Sequence, residues 1–118
     1  SGHFGIIGMI DATPEGYPSM IPILLNGSTA KSSITRYHVY LYLTHILAKW
    51  KSGCQWERHM DDILASLARG MSDKDSKARS ESRKSYVVLF HRYPSRAEEL
   101  KEKCKSQDKY LTKELEDF

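Results

Sequence analysis

The chain has 118 residues, 40% hydrophobic and 28% charged, a balance that fits one globular domain with its own core and leaves no room for two. A net charge of +3 and a pI near 8.8 are mild, and Asp and Glu interrupt nearly every Lys/Arg cluster, which argues against a nucleic-acid partner. Cys54 and Cys104 form no CxxC pair or disulfide framework and read as reduced thiols of an intracellular protein, while no apolar run approaches the ~20 residues of a membrane span and no signal-peptide pattern opens the chain.

The opening "FGIIGMI" reads as the end of a helix whose unit begins upstream, so residues 1–14 are expected to be the tail of a preceding repeat. "YPSMIPILLNG" predicts a first helix with Pro18 near its start, Pro22 shifting or bending its first turns, and Asn26-Gly27 as its C-terminal stop. "SSITRYHVYLYLTHILAKW" starts at a serine cap and carries apolar or aromatic residues on most faces, which makes it the most buried helix. The tyrosine alternation in "YHVYLYL" mimics a strand, but the length of the run and the absence of turn residues before Gly53 favour helix.

In "SGCQWERHMDDILASLARGM", Trp56, Met60, Ile63, Leu64, Leu67 and Met71 form one apolar stripe. Ser52 and Gln55 offer it a capping box. The run "SDKDSKARSESRKSY" has the composition of a linker, yet Asp75 or Ser76 is placed to cap a helix reaching about His91. Pro94 interrupts it, Ser95 and Glu98 offer a capping box for "SRAEELKEKC", and Tyr110, Leu111 and Leu115 give the tail helix its contact face.

The chain repeats itself at a shift of 43, the distance from Arg36 to Arg79. Met20 then meets Ile63, Ile21 meets Leu64, Leu24 meets Leu67, Lys31 meets Lys74, Ser33 meets Ser76, Leu43 meets Tyr86, Ile46 meets Leu89 and Trp50 meets Tyr93. Two helix-loop-helix units follow, 17–50 and 52–93, with C-terminal helices in 95–118. That period lies in the HEAT/armadillo range of about 40–47 residues and predicts an all-α HEAT-repeat solenoid of antiparallel helix pairs.

The segments "TAKSSITR", "ILAKW", "ERHMDDI" and "DKDSKARSESRKSYVVLFHRYPSRAEEL" resemble the last two HEAT repeats of a TOG domain of the CLASP type. The resemblance implies a partial TOG domain that binds αβ-tubulin or microtubules through the loops inside each repeat, with other cytoskeletal proteins as further partners. It implies a cytoplasmic place on the microtubule cytoskeleton, including spindle or kinetochore. The tryptophan with which the family grips tubulin belongs to a first-repeat loop outside this chain, and Trp50 and Trp56, expected within helices, do not replace it.

Residue by residue, the resemblance points to the loop "NGSTAKSS". Lys31 is its tubulin-contacting cation, Arg36 stands beside it one turn into the next helix, and Thr29 and Ser32 supply hydrogen bonds. Lys74 is the corresponding residue of the second unit, where the family's tubulin footprint ends and a solvated lysine is favoured. The family pattern also has a loop aspartate cap the second helix while an arginine reaches a neighbouring loop carboxylate. For Arg79 and Arg83, pairs with Asp73, Asp75 or Glu99 are favoured over tubulin contacts.

Other constellations carry less. Glu57, His59, Asp61 and Asp62 lack metal-ligand spacing and read as an exposed polar face, and His38 and His45 share a face better suited to packing than ligation. Cys54 has no activating base, and "FGIIGMI" contains no phosphate loop. No enzyme activity, cofactor, metal, nucleic acid or membrane is expected. "RSESRKS" resembles a kinase target, open to modification only on the solvent side of its helix. The competing reading is a HEAT scaffold that docks a non-tubulin protein or packs on repeats N-terminal to it.

Overall fold

Cap chemistry sets the two long helices. In a computed structural model that describes residues 2–118, with side chains from residue 5 onward, the Ser32 hydroxyl accepts the Thr35 N–H at 3.4 Å and an Asp75 carboxylate oxygen accepts the Ala78 N–H at 3.0 Å. Each satisfies one of the N–H groups that a helix start leaves unpaired. Helix α3 (Ser33–Lys49) and helix α5 (Ser76–Arg92) follow these caps, each 17 residues long, and end at Trp50 and Tyr93. Their first residues, caps and ends all stand 43 apart, from Ser33 to Ser76 and from Trp50 to Tyr93. "YHVYLYL" lies inside α3, so the strand alternative is excluded.

The remaining α-helices are α1 (Gly2–Ala12), α2 (Met20–Asn26), α4 (Met60–Met71), α6 (Pro94–Lys103) and α7 (Asp108–Asp117); the described residues contain no strand. Pro22 sits in the first turn of α2, where a missing N–H costs no helical bond. Helices α1, α3, α5 and α7 lie side by side in one row, with α2, α4 and α6 in a second. Between the rows Ile21, Tyr40, Leu43, Leu47, Ile63, Leu67, Leu89 and Leu100 are fully buried, and each large apolar side chain there contributes about 1.5–3 kcal/mol.

Helix α3 is buried on several sides because α1 flanks it on one and α5 on the other. The linker-like composition of α5 has the same origin. Ala78, Ser82 and Ser85 are buried small residues that let α5 approach α3 closely. Their hydroxyls are satisfied locally: Ser82 donates to the Ala78 carbonyl at 2.9 Å, and the Thr44 hydroxyl lies 2.6 Å from that of Ser85 and 2.8 Å from the Glu81 carboxylate.

Four local readings need correction. Gly27 follows α2 as expected, but its φ of −69° is helical and the chain continues into a 3-10 turn, Gly27–Thr29. Glycine is needed there for space. A Cβ on Gly27 would lie 2.7 Å from Val39, and on Gly70, 43 residues later, 2.0 Å from the Ser82 hydroxyl and 2.7 Å from the Tyr40 ring. Val39 and Ser82 are themselves 43 apart, so both units cross their helices at a glycine.

The Ser52–Gln55 box does not form. Ser52 donates to the Tyr93 hydroxyl at 3.2 Å, Gly53 turns with φ +81° and gives its N–H to Glu57, and a 3-10 turn, Gln55–His59, delays α4 to Met60. The Ser95–Glu98 box also fails, because Pro94 takes the first helical position and Ser95 falls inside the first turn. Trp50 caps α3 in extended conformation and Trp56 lies in the 3-10 turn, so neither sits within an α-helix.

Gly70→Ala is expected to cost about 1–3 kcal/mol through overpacking, seen as a lower urea midpoint at unchanged m. Gly8→Ala, where nothing lies within 4 Å of the added methyl, should be neutral or stabilising.

Candidate functional site

The α2–α3 loop (27–32) and the α4–α5 loop (72–75) are laced together by Arg36. Its Nε and Nη2 donate to the two Asp73 carboxylate oxygens at 2.7 and 3.1 Å, while Nη1 donates to the Ala30 and Lys31 carbonyls at 2.8 and 2.9 Å. The planar guanidinium suits this task because its donors are held in a fixed fork. Hydrogen bonding from Arg36 holds the Asp73 carboxyl below the usual carboxylate range; burial opposes this, and the Asp75 N–H at 2.8 Å assists. The same bond raises Arg36 above its ordinary value.

Arg79, the counterpart of Arg36, donates to the Asp73 carbonyl at 2.8 Å. That bond repeats the one from Arg36 to Ala30, since Ala30 and Asp73 are again 43 apart. The expected pairs of Arg79 and Arg83 with the Asp73, Asp75 or Glu99 carboxylates are therefore corrected: Arg79 reaches only the Asp73 backbone, and Arg83 turns to the C-terminal helices. Arg83 meets Gln107 at 3.1 Å and the Tyr110 ring at 4.4 Å, while Glu99 is taken by Arg96 at 2.8 Å. A second strap joins the units where Arg69, at the end of α4, donates to the Ser28 hydroxyl at 2.9 Å. The repeat register alone does not reveal it, because Asn26 occupies the position equivalent to Arg69.

These straps place Lys31, Thr29, Ser32 and Lys74 on one edge, all exposed. Among the described residues, neither lysine forms an ion pair. The Thr29 hydroxyl donates to the Asn26 carbonyl at 3.2 Å, and Ser32 serves as the α3 cap. Arg36, expected beside Lys31 as a contact, is turned inward, with 8% of its surface exposed and both edges of its guanidinium engaged. With Asp73 answered by Arg36 and Asp75 spent on a cap, the edge presents Lys31, Lys74 and exposed Arg69 outward.

Several other titratable groups have structural partners. Asp61 pairs with Arg96, Glu57 accepts from Gly53, and His45 lies 3.4 Å from Asp11. Among the described residues no group of His, Cys, Asp and Glu is arranged for a metal, and no helix is long and apolar enough to cross a membrane. Cys54 is half-buried and Cys104 buried, its thiol pushed up by burial; they are not bonded to each other.

The family model described as CLASP N terminal matches residues 6–116 of this chain. CLIP-associating protein 1 of Xenopus tropicalis is 32% identical over 83 residues, which is 70% of this chain and 6% of that protein. CLIP-associating proteins 1-B and 1-A of Xenopus laevis are 32% and 31% identical, each over 83 residues. The chain therefore corresponds to 6% of the length of each of these relatives.

Proposed function

The chain belongs to the CLASP N terminal family, and on that premise we propose that it is a tubulin- or microtubule-binding module of a CLASP-like regulator of microtubule dynamics. It acts by binding and not by chemistry, in the cytoplasm on the microtubule cytoskeleton. The observation that carries this reading is the pair of loops strapped by Arg36, with Lys31 and Lys74 directed outward on one edge. An acidic tubulin surface is attracted by the lysines, while Thr29 and Ser32 stand beside Lys31 as hydrogen-bonding groups. Arg36 enters as the residue that positions the Lys31 backbone and not as a contact.

The test is co-elution with tubulin and co-pelleting with microtubules at two salt concentrations. Lys31→Glu should weaken binding by about tenfold at low salt, the lower end of what electrostatic steering supplies, and by less at high salt as screening takes over. Lys74→Glu should weaken it less, because the second unit lies at the margin of the footprint. Wild-type binding by Lys31→Glu at both salts sinks the site. A scaffold that packs on further repeats is favoured by Met9, 40% exposed on α1 beside half-buried Ile6 and Ile7. Binding by a longer protein carrying Lys31→Glu, with none by this chain, selects that reading.

A further inference from the structure

The outer face of the α3–α5 pair carries a groove of about 620 Å³, lined by Ile34 and Tyr37 on one wall and Lys77, Ser80, Glu81 and Lys84 on the other. Ser33 and Asp75, at the N-terminal ends of α3 and α5, also line it, and they directly follow Ser32 and Lys74 of the candidate edge. From Asp75 to Lys84 the helix rises about 14 Å, the reach of roughly four extended residues.

The charges along this wall are not equivalent. Asp75 is committed to the Ala78 N–H, and Glu81 is 5% exposed with its carboxylate on the Thr44 hydroxyl. Lys77 and Lys84 are exposed, and among the described residues neither forms an ion pair. They stand seven residues apart, two helical turns on one face. Opposite them Ile34 leaves 67% of its surface in water, an apolar cost that a covering aliphatic group would remove.

We propose that this groove binds an acidic peptide segment bearing an aliphatic side chain, its carboxylates on Lys77 and Lys84 and its aliphatic group on Ile34 and Tyr37. The inference rests on the edge reading for its source of peptide, since an acidic partner held at Lys31 and Lys74 lies next to the groove's end at Ser33 and Asp75. Two exposed cations opposite an exposed isoleucine, on a wall that also carries Tyr37 and His38, select for an acidic chain with an apolar residue over a uniformly charged one.

Fluorescence anisotropy with a fluorescein-labelled hexapeptide, five glutamates and a central isoleucine, tests this on the full chain. Lys77→Glu/Lys84→Glu should weaken binding by about tenfold, and Ile34→Ser should weaken the isoleucine peptide but not its glycine counterpart. Lys101→Glu/Lys103→Glu on α6 should leave both unchanged. The proposal is overturned if the wild-type chain does not bind, if the α6 reversal costs as much as the groove reversal, or if an oligothymidine displaces the peptide equally well. Peptide binding by the groove, together with tubulin binding that Lys31→Glu leaves at the wild-type level, keeps the groove and rejects the edge.

Discussion

Trp56→Ala is expected to remove about 3–5 kcal/mol of stability, out of the roughly 5–15 kcal/mol a folded domain holds. The ring is fully buried at the junction of the two units, edge-on to Trp50 at 5.6 Å and to Tyr93 at 6.2 Å, and its indole N–H donates to the Lys51 carbonyl at 2.9 Å. Trp50 in turn donates to the Ile10 carbonyl at 2.9 Å, so this cluster also fastens α1. The lost ring removes apolar area, two favourable ring pairs and a hydrogen bond at one site. A urea titration should show the midpoint falling steeply, with the near-ultraviolet circular dichroism of the cluster lost. Trp56→Phe, which keeps a ring but no donor, should cost much less. Lys31→Glu should leave the titration unchanged, which separates loss of binding from loss of fold. A Trp56→Ala chain as stable as wild type would mean that the units are held together elsewhere.

The helices were legible wherever a cap or a periodic stripe is local. Ser32 and Asp75 each bond an N–H three residues on, and such short-range chemistry is written in adjacent letters. The shift of 43 reproduces the bounds of α3 and α5 because both obey the same packing geometry. What was not legible depends on partners distant in the chain. Ser52 satisfies the pattern of a capping box but finds Tyr93, 41 residues away, once the units stack. Gly27 looks like a helix stop, while its contact is with Val39 of the following helix.

At the candidate site, the exposure of Lys31 and Lys74 follows from their place in short polar loops. The direction of Arg36 does not. A long side chain one turn into a helix can reach outward to solvent or across to a neighbour, and the position of Asp73 in the adjacent unit decides between them. The role of Arg69 is hidden for the same reason, since Ser28 becomes its neighbour only in the stacked fold.

Asp73→Asn is expected to reduce stability at neutral pH and to flatten its acid limb. Asp73 has a folded-state pKa below that of an unfolded aspartate, about 3.9, chiefly because Arg36 hydrogen-bonds its charged form. The sign follows from proton linkage: over the window between the two values the unfolded chain binds more protons, so stability rises with pH. The carboxylate's contribution is fully present above the unfolded value and disappears as pH falls through the lower folded value. Urea midpoints of wild type and Asp73→Asn should therefore differ most above about pH 5 and converge below the window, with all other carboxylates cancelling in the comparison. The same substitution removes the charge and one of the two acceptors facing Arg36 Nε and Nη2, while leaving its bonds to Ala30 and Lys31 in place. Under the tubulin reading, the Lys31 loop is then held to the second unit chiefly by the Arg69–Ser28 strap, and affinity should fall even though no edge lysine has changed. A constant difference between the two midpoints across the acid range would remove Asp73 as the source of the pH dependence. Unchanged tubulin affinity in Asp73→Asn would show that the two loops need not be strapped to act together.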